Sequence, residues 1–360
     1  MNNIRKKSDQ GSSYMGKINQ VRKLNLLTFI QGVSVAVLVI SSTLILTRTS
    51  IIQAGVFTSA TALGALLSPF IARHTYNKVG FLVLITRTAT ILLVISNLFI
   101  PAILATFLGG AISRRAFINL KNITGQIDHL HLPKHATYNA IGYAIGGILS
   151  AAVLSNPIYT ASVVVLLAIF SSLYLPKGAK DKGESKKGLS NKDLIITAIY
   201  TGSFTPYSNT LAPLILAKTF GEQLAAISAT SYSLGAVLAP ILVKQFLKND
   251  YLPIYTLSTA TLLFATIITT ENTLVLLVGR FITGAVLFTG QAKLEMKTQG
   301  KKNKHGLDAF WQIISIVDIT VGVLVPQIIH KTSINYSVAW GVLGILILIP
   351  FSRINKKNIN

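Results

Sequence analysis

The chain has 360 residues, 51% of them hydrophobic and 12% charged, with no cysteine and with 33 Lys and Arg against 11 Asp and Glu. So few charges cannot cover a water-soluble surface, and the lack of cysteine excludes disulfides and thiolate metal sites. A formal charge of +22 would point to nucleic acid in a soluble protein, but here the basic residues fall in alternate loops between apolar runs, which makes the charge topological and excludes that partner.

A basic tail over residues 1–23 leads into an apolar run too long for a signal-peptide core, so the first span is read as retained. Runs long enough to cross a hydrocarbon core about 30 Å thick follow at 24–47, 51–72, 80–100, 101–120, 136–155, 157–175, 193–217, 222–246, 252–270, 272–291, 306–329 and 334–351. The prediction is an all-α integral membrane protein with twelve transmembrane helices and partners that begin with membrane lipid. Only Arg48, Lys218 and Lys331 fall in the loops facing away from the termini, and Arg87 and Arg280 lie inside spans. The positive-inside rule then puts both termini, including the tail 352–360, in the cytoplasm of a cell whose cytoplasmic membrane the chain crosses.

Along the spans, polar residues are sparse enough to be taken one by one. Gln31, Ser34 and Ser41 form a thin stripe on span one. Small residues four apart, which let helices approach closely in lipid, occur as Gly64 and Ser68 in span two, Gly142 and Gly146 in span five, and Gly235 and Ala239 in span eight. Pro69 and Pro240 sit at matching points where a helix can bend. Arg87 in span three lies about 10 Å from the inner boundary, a distance from which it can snorkel. His129, His131 and His135 read as a solvated loop rather than a metal site. Residues 176–192, rich in Lys and Gly, read as a flexible linker between segments 24–175 and 193–351.

Span seven is the most polar, with Tyr200, Ser203, Tyr207 and Thr210 on one face and Pro206 and Pro213 beside them. That face and the stripe of span one are candidate walls of a substrate cavity, with ordinary interhelical hydrogen bonding as the alternative. Ionisable groups inside the hydrocarbon are costly and mark function by default. Arg280 in span ten and Asp318 in span eleven both lie roughly 12 Å from the outer boundary, so they are placed to pair. Trp311 shares a face of span eleven with Asp318, seven residues away, and is a candidate cavity residue that can stack on a ligand, with a packing role as the alternative. Asp318 is the candidate proton acceptor or substrate anchor, its charge balanced by Arg280, itself a candidate cavity residue, with a static ion pair as the alternative.

The chain also repeats itself. Leu63-Gly64-Ala65-Leu66-Leu67-Ser68-Pro69 returns 171 residues later as Leu234-Gly235-Ala236-Val237-Leu238-Ala239-Pro240, and Gly109-x-x-Ile112-Ser113 returns at 170 as Gly279-x-x-Ile282-Thr283. Basic loops follow the second and fourth span of each copy, so both copies run the same way. Two six-helix bundles related by a parallel repeat are the expected architecture.

At this point the chain resembles the major facilitator superfamily. The stretch Arg73-His74-Thr75-Tyr76-Asn77-Lys78-Val79-Gly80 is similar to that family's loop after span two, without its acidic residue. Arg280-Phe281-Ile282-Thr283-Gly284 looks like its arginine and glycine motif, and Gly142-Tyr143-Ala144-Ile145-Gly146-Gly147 is similar to the glycine motif of its antiporters, without the proline. The resemblance implies a secondary transporter using alternating access, coupled to protons, with a small-molecule substrate and no cofactor. Efflux of a small organic compound is the leading expectation, resting on the span-five glycines. Uptake of a polar or anionic solute held by Arg280 is the alternative, and a transport-like sensor or immunity protein that no longer transports is a third. No P-loop, nucleophile elbow or zinc-protease motif is present, so the chain is not read as an enzyme.

Overall fold

A computed structural model describes residues 2–71, 78–127, 132–173, 175, 212–245, 252–267 and 269–298, together with 315, 316, 319 and 323. Among these residues every regular element is a helix. They are α1 (Asn2–Thr49), α2 (Ile51–Ile71), α3 (Val79–Ile95), α4 (Phe99–Ile127), α5 (Leu132–Val153), α6 (Pro157–Leu173), α7 (Ala212–Phe220), α8 (Glu222–Ala236), α9 (Ala239–Gln245), α10 (Leu252–Ile267) and α11 (Thr273–Thr298). Five stretches, Gln20–Thr49, Ile51–Ser68, Ala136–Val153, Glu222–Gln245 and Thr273–Lys293, are long and apolar enough to cross a membrane.

Burial runs opposite to that of a soluble protein. On α3 the exposed side chains include Phe81, Ile85 and Leu92, while Thr86, Arg87 and Thr90 are buried. Ile100, Leu104 and Leu108 on α4 and Ile158, Leu166, Phe170 and Leu173 on α6 likewise face outward. Apolar faces outside and polar groups inside belong to helices solvated by lipid. The protein is a multi-pass membrane protein.

Local chemistry sets the helix ends. α3 stops at Ile95, short of the expected 100, because Asn97 takes a left-handed backbone with φ 56°. The Leu98 amide then bonds the Leu93 carbonyl at 2.9 Å, and the Asn97 amide bonds that of Val94 at 3.1 Å. This is the Schellman pattern, and asparagine is the residue other than glycine that adopts it most readily. The Asn156 side chain accepts from the amides of Ile158 and Tyr159, and Asn272 does the same for Leu274 and Val275. These caps start α6 and α11. Gly221, with φ 85°, precedes α8 in a backbone region that only glycine enters without strain. Two elements overrun the expected bounds: α1 is helical from Asn2 rather than from 24, and α4 continues to Ile127 rather than 120.

The expected span over 222–246 is divided into α8 and α9. Pro240 offers no amide to the carbonyl four residues back, and the backbone tightens: Val237 bonds Leu234 at 3.1 Å and Leu238 bonds Gly235 at 3.0 Å, three residues back. α2, by contrast, runs unbroken through position 69 to Ile71.

Packing divides the helices into α1–α6 and α7–α11. Within the first group α1 lies against α5, α2 against α4, and α3 against α4 and α6; within the second, α8 and α10 both pack on α11. Gly64 and Gly110 bring α2 and α4 into backbone contact, since a methyl on Gly64 would collide with the Phe107 carbonyl and one on Gly110 with that of Thr61. Gly235 and Gly284 do the same for α8 and α11, against the carbonyls of Phe281 and Tyr232. The same reciprocal glycine crossing occurs in each half: α8 repeats α2 at the offset of 171 read from the sequence, whereas α11 repeats α4 at 174, four residues out of register with the Gly109 and Gly279 match.

The groups meet chiefly where α5 lies on α8. Gly142 and Gly146 face α1, at Phe29, Val33 and Ala36, whereas Gly147, one step around the helix, faces Ala226 and Thr230 of α8. The Thr230 hydroxyl donates to the Ala144 carbonyl at 2.9 Å. On another side, the Ser59 hydroxyl of α2 donates to the Ile319 carbonyl at 3.2 Å.

Candidate functional site

Two arginines lie in the interiors of the two groups. Arg87 projects from α3 and is 1% exposed. Its Nη1 donates to Ser34 Oγ at 2.7 Å and to Ser171 Oγ at 3.0 Å, and its Nη2 donates to Gln31 Oε1 at 2.7 Å. Gln31 Nε2 in turn donates to the Ser171 carbonyl at 3.1 Å. Spans one, three and six are thus tied together by one guanidinium. Arg87, close enough to the boundary to snorkel, is instead held inside by three neutral oxygens, where it ties helices together as a structural residue does. The stripe expected to line a cavity from span one has its Gln31 and Ser34 committed to this arginine, and Ser41 is also buried.

Arg280 projects from α11 and is 0% exposed. Its guanidinium carbon lies 4.5 Å from the ring centroid of Tyr232 on α8 and 5.8 Å from that of Phe264 on α10. Tyr232 also packs on Phe288, with centroids 5.5 Å apart. Two aromatic faces turned on a cation offer it their quadrupoles, an arrangement worth about 2 kcal/mol or more where water is excluded. A buried cation so held attracts anionic or strongly polar groups in a low dielectric. The residues bringing it there were not singled out in the sequence: Tyr232 corresponds to Thr61 in the first repeat, and that aromatic replacement in an otherwise similar segment was the available signal.

Asp318, Trp311, Tyr200, Ser203, Tyr207 and Thr210 lie outside the described residues. Among the described residues no group of three or more His, Asp or Glu is arranged to hold a metal ion.

At the end opposite the N-terminus, α1 and α8 are joined by an ion pair that the sequence reading missed. Arg48 Nε donates to Glu222 Oε1 at 2.7 Å and Arg48 Nη2 to Oε2 at 2.6 Å, a bidentate fork. Nη2 also donates to the Leu154 carbonyl at the end of α5, at 3.1 Å. Around the pair is an open cleft of about 520 Å³ whose walls include Thr47, Ser50 and Lys218. Both residues stand at the same end of their spans in the sequence, and that shared level was the signal.

No family model matches the sequence, and no curated protein matches it. Solved structures do. The nucleoside transporter NupG aligns over 94% of this chain and 99% of its own, with a TM-score of 0.68 and 14% identity. A D-xylose-proton symporter aligns over 93% and 97%, with a TM-score of 0.69 and 11% identity. The xylose transporter XylE from E. coli, in a partially occluded inward open conformation, aligns over 91% and 96%, with a TM-score of 0.63 and 9% identity. The reciprocal glycine crossings, the α5 and α8 junction and these full-length alignments together identify the architecture: the chain has the same all-helical fold as these transporter structures.

Proposed function

We propose that the protein is a secondary transporter that carries a small polar or anionic solute across the cytoplasmic membrane by alternating access, with both termini in the cytoplasm. The observation that carries this reading is the full-length fold, combined with a wholly buried arginine held on aromatic faces in the second bundle. A cation stacked on two ring faces at 4.5 and 5.8 Å in a buried site favours a polar or anionic ligand over a lipophilic cation. The likeness to a D-xylose-proton symporter supports coupling to protons, with Asp318 as the acceptor. It also favours uptake over the efflux expected from the sequence. That expectation rested on the span-five glycines, and their close contacts with α1 and α8 supply a packing reason for them that carries no direction.

Thermal stability of the purified protein against a panel of pentoses, nucleosides and small organic acids tests the reading, because a ligand that binds only the folded state raises apparent stability by mass action. At a ligand concentration 100-fold above Kd the gain is about 2.7 kcal/mol. The reading expects a stabilising ligand whose effect disappears in Arg280→Ala while the fold is retained. A ligand that stabilises Arg280→Ala as well as the parent removes the arginine from the site.

A further inference from the structure

We propose that Arg48 and Glu222 form the latch of a gate at the outer mouth of the transport path, closed in this structure and broken when the path opens outward. The proposal rests on the transporter reading and assigns the part that moves.

The two residues belong to opposite bundles, Arg48 at the last turn of α1 and Glu222 at the first turn of α8. Each charge also suits the helix end it meets. Arg48 caps the negative end of α5 through the Leu154 carbonyl, and Glu222 occupies the positive end of α8. The α5 and α8 dipoles therefore hold the two halves of the latch ready before they meet. One turn deeper the seal becomes apolar: Ile40, Leu44 and Leu154 of the first bundle pack with Leu216, Ala225 and Ala226 of the second, all buried. An apolar plug under a wet ion pair divides the labour, since the plug excludes solute and water while the pair fixes the register of the two bundles.

The pair's exposure also suits a latch. The side chains are 41% and 26% exposed, so water screens them and each can be rehydrated when they part. The cleft of about 520 Å³ around the pair, with Lys218 on its wall, gives an anionic solute access to the same guanidinium that Glu222 holds. Such a solute competes with the carboxylate for Arg48.

The absence of native cysteine makes the test direct. Ile40→Cys places one thiol beneath the latch, and its reaction with a membrane-impermeant maleimide added outside right-side-out vesicles reports opening of that mouth. Asn97→Cys, at an exposed turn on the same end, serves as the control for general access. Arg48→Ala and Glu222→Ala are each expected to raise the labelling rate at position 40 two- to fivefold while leaving position 97 unchanged. The double variant should be no faster than either single one, because the second change removes a partner already lost. Arg48→Lys, which keeps the charge and loses the fork, should fall between, and it carries the test if Arg48→Ala does not give folded protein. Labelling at position 40 that proceeds in the parent and is unchanged in all the variants overturns the latch and leaves the transporter reading intact. A position 40 that never reacts, in any variant and under an imposed proton gradient, overturns the outward-open state itself and the transporter reading with it.

Discussion

Each buried arginine sits in a different kind of neighbourhood, and that difference sets its sensitivity. Arg87 relies on three neutral oxygens. Removing one leaves a buried charged donor unsatisfied, which costs about 1–3 kcal/mol or more. Gln31→Ala is therefore expected to lower stability by about 2–3 kcal/mol, read as an earlier thermal transition in detergent. If Gln31 instead lines a substrate path, the same variant will change transport and leave the transition in place. Arg280 lies against two ring faces, so Arg280→Lys keeps the charge and loses the planar stacking. We expect it to fold and to weaken solute binding at least tenfold in a binding titration. These sites were half legible in the sequence. Arg87 and Gln31 each lie seven residues into spans of the same direction, so the depth reckoning that matched Arg280 with Asp318 also puts them level. What the sequence does not give is azimuth. A residue's level follows from counting, but which neighbour it faces depends on how each helix is rotated in its bundle, and that is fixed by packing.

Helix geometry carries the next scale. At Gly64 and Gly235 the facing atoms are backbone carbonyls that cannot swing aside, whereas a methyl at Gly109 would sit 3.6 Å from Thr86 in ordinary contact. Gly64→Ala and Gly235→Ala should each push a helix pair apart and cost about 1–3 kcal/mol. Gly109→Ala should be neutral or slightly stabilising, because it favours the helix. Denaturation midpoints of the three variants check this, and equal effects would mean that the crossings are not close. Gly221→Ala should also cost about 1–3 kcal/mol from backbone strain alone. The small-residue spacing and most span starts were legible, because apolar length and caps such as Asn156 are local signals. The crossing partners of the glycines were not, since Gly110 and Gly284 carry no periodic mark of their own. The Pro240 break and the continuity of α2 through position 69 share one heptapeptide pattern and differ in outcome, so the local sequence did not decide between them.

At the scale of the whole molecule the repeat was the strongest sequence signal, and its physical meaning is two groups of helices built on the same glycine crossing. Reciprocal glycine crossings lie inside each bundle, while the described contacts between bundles combine the close α5 and α8 seat at Gly147, the apolar cluster of Leu44 and Leu216, and a wet ion pair. Under the proposed alternating access, the α5 and α8 seat is the junction about which the two halves turn. The most direct measurement of that claim is accumulation of radiolabelled pentoses, nucleosides and small organic acids in proteoliposomes under an inward proton gradient. The account predicts that at least one solute rises above its external concentration, and that a protonophore or Asp318→Asn abolishes the rise. Correctly inserted protein that moves no solute under any gradient, with position 40 closed throughout, would contradict it and favour a membrane protein that keeps the transporter fold without its cycle.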